Sequence, residues 1–351
     1  MRSYGLALGG FVLAAALAAC GGGTTVTAPP TPAPSASPTA TPTGYNEYTI
    51  TTPNSVPYGI AAGSDGNLWF TENAGNEIGR ISTAGAITEF PIPTASSAPY
   101  GIAAGPPADG NLWFTESATD KIGKITTAGV VTEYPVTTAN AGPWAIAAGP
   151  DGNLWFTEYD ADQIGKITTS GQVTEFKIPT ANAFPTSITA GPDGNLWFTE
   201  SQASKIGQIN PTTGTINEFT TPTLGSGPSF IASGPAGSNT LWFSEYSIGR
   251  VARITTSGTI TEYPLPTVSG SLPDGIVAAV PPNDNTLWVL EFGASQIANV
   301  VPNPTPSATP TITEYPIPTT PSNPTSAAIG ADHGLWFTEA GANKIGRRQI
   351  P

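Results

Sequence analysis

An all-β fold, a seven-bladed β-propeller, is predicted by three features of this chain. The pair Leu-Trp recurs seven times, at Trp69, Trp113, Trp155, Trp197, Trp242, Trp288 and Trp336, with a period of about 42–48 residues that matches one propeller blade per repeat. Around each copy the same four apolar phrases return. In the first they are Pro57-Tyr-Gly-Ile60, Asp65-Gly-Asn-Leu-Trp-Phe-Thr-Glu72, Ile78-Gly-Arg-Ile81 and Ile87-Thr-Glu-Phe-Pro91. The last repeat lacks its fourth phrase, and a copy of it stands at the front of the domain instead.

Each phrase reads as one antiparallel strand. The first, of Ile-Ala-Ala type (Ile60, Ile102, Ile146), carries small residues suited to the crowded axis. An Asp-Gly-Asn turn follows, a strong hairpin signal. Leu-Trp-Phe-Thr is apolar without clean alternation, as expected for a strand covered on both faces. Its Trp is expected to wedge between adjacent blades. Ile-Gly-(Arg/Lys)-Ile forms the third strand. A tight Gly turn leads to the outermost, whose closing Pro sits where a missing N–H is tolerated. Tyr45 to Pro53 resembles Ile87 to Pro93 and is expected to supply the outer strand of the seventh blade, removing the open seam.

The domain so defined spans residues 45–351. Residues 1–19 read as a signal peptide: Arg2 opens it, and the apolar run from Tyr4 is too short for an ordinary membrane span. Leu17-Ala-Ala-Cys20-Gly resembles a bacterial lipoprotein signal, in which Cys20, the sole cysteine, is lipidated. Residues 20–44, rich in Pro, Thr, Ser and Ala, read as an extended tether. The expected location is the bacterial cell envelope, extracytoplasmic, lipid-anchored or secreted, with membrane contact only through Cys20. A net charge of −13 argues against nucleic acid as a partner. No phosphate loop, nucleophile elbow, zinc-ligand cluster or cysteine pair is present in the sequence. A monomer is expected.

Two sets of glutamates repeat. Glu47, Glu89, Glu133, Glu175, Glu218, Glu262 and Glu314 lie on the outer strands. Counting through the tight turn places Glu89 opposite Arg80, Glu133 opposite Lys124, Glu175 opposite Lys166, Glu262 opposite Arg253 and Glu47 opposite Arg347, as structural ion pairs. Glu72, Glu116, Glu158, Glu200, Glu245, Glu291 and Glu339 end the second strands. They either ring one mouth of the channel and hold a divalent cation, or cap backbone N–H groups in the next loop. Sevenfold repetition favours capping.

The repeat phrases, with Ile-Thr-Glu-Tyr-Pro-Ile-Pro of the later blades, resemble those of the virginiamycin B lyase family over residues 45–351. That resemblance implies a seven-bladed propeller and a Mg²⁺-assisted elimination that opens cyclic depsipeptides of the streptogramin B type. It also implies histidines after the strand-opening Pro of the last two blades and carboxylates for the metal. At those places this chain has Asp274 and Thr325 as the residues in the catalytic positions, and Asn323 in a metal position. Glu339 lies one residue early for the other metal position. The single histidine, His333, fills the turn slot of Gly66, at the far end of its blade.

The residues at the first-strand openings are expected to face the axial mouth: Tyr58, Tyr100, Trp144, Thr186, Ser229 with Phe230 beside it, Asp274 and Thr325. The aromatic arc Tyr58–Tyr100–Trp144, with Thr186 and Phe230, reads either as a binding surface for a small molecule, glycan or peptide, or as a plug of the channel. The functional expectation is an envelope-tethered ligand- or protein-binding module. The alternatives are a Mg²⁺-dependent C–O lyase and a purely structural surface protein.

Overall fold

The computed structural model describes residues 44–279, 285–303 and 308–350. The expected signal peptide, Cys20 and the tether up to residue 43 lie outside the described residues, as does part of an insertion at 302–310. Among the described residues no helix is long and apolar enough to cross a membrane.

Seven four-stranded antiparallel sheets make up the domain. After β1 (Tyr45–Thr49), the first blade is built from β2 (Pro57–Ala62), β3 (Leu68–Glu72), β4 (Glu77–Ile81) and β5 (Ile87–Pro91), hydrogen-bonded in that order. The next five blades repeat this sequence-consecutive order. The seventh does not: its strands Pro324–Ile329, Gly334–Glu339 and Lys344–Gln349 are completed by β1. Tyr48 lies opposite Ile345 and Glu47 opposite Gly346. The two ends of the domain therefore share one sheet, as the displaced phrase predicts.

Side chains on β3 alternate between two interfaces. Trp69 packs into the second blade against Ile102, Leu112 and Phe114, while Leu68 and Phe70 receive Trp336 of the seventh. All seven repeat tryptophans are buried, each a burial that contributes roughly 1.5–3 kcal/mol. Six of these indoles also stack on the outer-strand aromatic of their own blade, as Trp69 on Phe90 at 5.4 Å and Trp336 on Tyr48 at 5.7 Å, while Trp288 meets Tyr315 at a tilt. In blades one to four and seven the turn aspartate four residues earlier accepts the indole N–H, as in Trp113 to Asp109 (2.8 Å) and Trp336 to Asp332 (3.0 Å).

The structure corrects the expected ion pairs by one residue. Ile81 stands opposite Ile87, so Arg80 faces Thr88, and Glu89 faces Gly79. A slip of one residue moves a side chain to the other face of the sheet. Arg80, Lys124, Lys166 and Arg347 lie instead over the Trp–aromatic stacks, at 5.1–5.7 Å from the Trp rings. The outer glutamates pair with the residue that opens the third strand: Lys121 with Glu133 (3.5 Å), Lys205 with Glu218 (3.0 Å), Lys344 with Glu47 (2.9 Å), and Arg250 with Glu262.

Candidate functional site

At the axis each first strand carries a bulge. Pro57 pairs with Glu72 and Ile60 with Phe70, leaving Tyr58 and Gly59 unmatched. A second-strand hydroxyl fills the gap. Thr71 accepts the Gly59 N–H (2.9 Å) and donates to the Tyr100 carbonyl of the next blade (2.8 Å). Thr115, Thr199, Ser244 and Thr338 bridge to the next blade in the same way. These bridges hold seven strand openings around one mouth. The sequence carried the signal, a Thr or Ser before the repeated Glu in six of the seven blades, with Leu290 the exception, but gave it no partner.

In blades one to three the bulge aims the residue after the Pro at the mouth. Tyr58 and Tyr100 have ring centroids 3.7 Å apart, and Tyr100 and Trp144 3.5 Å. The arc continues through Tyr159, 5.0 Å from Trp144, to Phe184, 4.9 Å further. These last two residues were not foreseen: Tyr159 follows the repeated Glu and Phe184 precedes the strand-opening Pro, positions that vary from blade to blade. All five aromatic side chains are partly exposed.

Asp274 is 5 % exposed and accepts the Ser229 hydroxyl at 2.7 Å. The Tyr58 phenol also hydrogen-bonds to the Asp274 carboxyl. Burial is the larger influence on the Asp274 carboxyl; it outweighs these two hydrogen bonds and pushes it up to about 7. Burial, then the Asp274 charge, holds the Tyr58 phenol well above its ordinary range. The mouth thus sets one buried acid beside the first member of an aromatic arc.

The remaining candidates lie elsewhere. Thr325 is fully buried, bonded to the Tyr58 carbonyl (3.0 Å) and the Thr338 hydroxyl (2.8 Å). Thr186 is bonded likewise, to Thr199 (2.9 Å) and the Ser229 carbonyl (2.8 Å). Phe230 packs against the apolar layer between blades five and six. His333 occupies the turn between Gly330 and Gly334 with φ +57°, exposed, at the end of its blade away from the mouth.

The repeated inner glutamates do not cap the following loop as expected. All seven are fully buried. Apart from one Glu116 oxygen, which accepts from Thr119, their carboxyl oxygens have no hydrogen-bond partner. Glu339 faces Glu47; burial first, then that neighbour, pushes it up to about 8, against the pull of Lys344.

Residues 43–307 match the model of the virginiamycin B lyase family. The chain belongs to that family. A solved streptogramin B lyase shares 36 % identity and a TM-score of 0.79, covering 88 % of this chain and 97 % of its own. A virginiamycin B lyase from Staphylococcus aureus shares 36 % identity and a TM-score of 0.78, covering 87 % of this chain and 99 % of its own; it is also solved as a catalytically inactive His-to-Ala variant with quinupristin. Virginiamycin B lyase from Bacillus licheniformis is 46 % identical over 41 residues, which are 12 % of this chain and only 14 % of that protein's length.

The residues at the family's metal positions do not fit Mg²⁺. A small, hard cation needs anionic oxygens. The Asn323 amide is tied to the Phe292 carbonyl (3.2 Å). Glu339 is buried, and the carboxylate that faces it, Glu47, is already paired with Lys344 (2.9 Å).

Proposed function

We propose that this member of the virginiamycin B lyase family is a ligand-binding propeller of the bacterial cell envelope, tethered through a lipid on Cys20. It takes a small molecule, glycan or peptide that presents a flat apolar face to the arc and a polar group to Asp274. The carrying observation is the unbroken arc Tyr58–Tyr100–Trp144–Tyr159–Phe184, with Asp274 hydrogen-bonded to its first member. Aromatic walls with one or two placed polar groups suit such ligands. A relative has been solved with quinupristin, and its catalysis fails when one histidine becomes alanine. The one histidine here lies in a turn away from the mouth. Calorimetric titration with quinupristin tests the reading: binding is expected with the ring recovered intact, shown by unchanged chromatographic retention because elimination leaves the mass the same, and with at least a tenfold loss of affinity in Trp144→Ala. Unchanged affinity in that variant overturns the proposed site. Mass spectrometry of the mature N-terminus tests the lipid on Cys20.

One observation favours a second reading, lyase activity. A carboxyl poised near 7 is suited to proton transfer at neutral pH, and Asp274 is such a group. Ring opening of a type B streptogramin that disappears in Asp274→Asn, assayed with and without Mg²⁺, would establish it.

A further inference from the structure

The first blade departs from the other six at one position. The residue paired with the buried inner glutamate is Lys121, Gln163, Lys205, Arg250, Gln296 or Lys344 in blades two to seven, and Glu77 in blade one. In blades two, four, five and seven that residue is a cation that neutralises the outer glutamate. Blade one reverses the charge and gathers three carboxyls, Glu72, Glu77 and Glu89, with one oxygen of each within 4.8 Å of the others.

The local bonding shifts to match. In blades three, five, six and seven a threonine hydroxyl from the preceding loop donates to the outer glutamate, as Thr138 does to Glu175 at 2.7 Å. Thr52 instead turns its hydroxyl to Glu77 (2.9 Å) and gives Glu89 only its N–H (2.9 Å). Arg80 is committed to the other face of the sheet, over Trp69 and Phe90 and bonded to the Thr127 carbonyl. Independently, Glu72 is fully buried, and neither of its oxygens, one of which lies in this cluster, has a hydrogen-bond partner. A buried polar group without a partner is costly. Here a metal ion would satisfy it and offset the charge of its two neighbours.

We propose that Glu72, Glu77 and Glu89 bind one hard divalent cation, which takes in blade one the place of the lysine or arginine of its sister blades. An all-oxygen, carboxylate-rich set of this kind suits calcium. The site lies between blades seven and one, beside the seam that β1 closes, and its role is to hold that seam.

The test is calorimetric titration of the chelator-treated protein with CaCl₂, paired with thermal unfolding. The expected result is one calcium per chain and a melting temperature higher by about 2–5 °C at saturation. Glu77→Lys, which installs the residue of blades two, four and seven, should bind no calcium and melt no lower than the calcium-free wild type. Glu77→Gln, the residue of blades three and six, keeps the test open should the lysine disturb folding; it should weaken binding at least tenfold. Absence of calcium uptake by the wild type overturns the proposal, and so does unchanged uptake in either variant.

Discussion

Tyr48 lies opposite Ile345 on the last strand, and its ring stacks 5.7 Å from that of Trp336 at an interplanar angle of 16°. The first strand of the domain is thereby bound to the last blade both by the ladder and by an aromatic contact. Stacked pairs contribute about 0.5–1.5 kcal/mol beyond burial. Tyr48→Ala is expected to destabilise the domain by about 2–4 kcal/mol, as for other large-to-small changes of a packed aromatic. Urea unfolding checks this, and a loss under about 0.5 kcal/mol, the scale of ordinary surface changes, would show that the clasp does not stabilise the ring.

Thr338 serves two backbone groups at once, the Ser326 N–H (3.1 Å) and the Tyr58 carbonyl (2.7 Å). Valine keeps its shape and removes both bonds. Thr338→Val is expected to cost about 1–3 kcal/mol, the penalty for stranding buried polar groups. The same unfolding measurement decides, and a neutral outcome would mean that these groups find other partners.

The two sets of glutamates predict how stability varies with pH. Burial, with help from the facing outer glutamates, pushes Glu158, Glu200, Glu245, Glu291 and Glu339 up to about 8. For these the folded form holds its proton where the unfolded chain has lost it. Their contribution is present at low pH and falls as pH rises from about 4.5 towards 8. Glu47, Glu133 and Glu218 run the other way. Burial opposes their ionisation, but hydrogen bonds from neighbouring threonines and lysines outweigh it and hold them below 4.5. Their contribution is present above 4.5 and is lost as pH falls through their lowered values. The melting temperature should therefore peak near about pH 5 and decline to about pH 8. Glu200→Gln, which cannot ionise, should make that decline shallower; a profile level from pH 5 to 8 would contradict the assignment.

Asp274→Asn keeps the shape of the mouth and removes its buried titrating acid. Ligand affinity that varies around pH 7 in the wild type should become level in this variant. Titration at pH 6 and 8 measures it, and a persisting pH dependence would place the responsible group elsewhere.

The sequence made the blades and their closure legible because both are written as period and phrase. Leu-Trp-Phe marks a strand buried on both faces, and Tyr45 to Thr49 repeats the outer-strand phrase in front of the first blade. The slot of His333 followed from the same alignment. Register across the Gly turn was not legible, since moving one residue at Gly85 exchanges Arg80 for Gly79 as the neighbour of Glu89. Nor was the fate of Glu72 and its six counterparts, because a carboxyl at a strand end looks alike whether it caps a loop or is sealed between sheets. Tyr159 and Phe184 were missed for a related reason. Only the three-dimensional curve of the ring carries the arc from the strand openings into neighbouring loops.

The chain has eight tryptophans. Seven are locked inside the ring, and Trp144 alone is partly exposed. Nature has in effect placed a single fluorescent reporter at the mouth. A soluble quencher such as iodide should extinguish only the emission of Trp144, and a molecule seated on the arc should shield it. Occupancy can thus be followed by light in the unlabelled protein, before its natural ligand has a name.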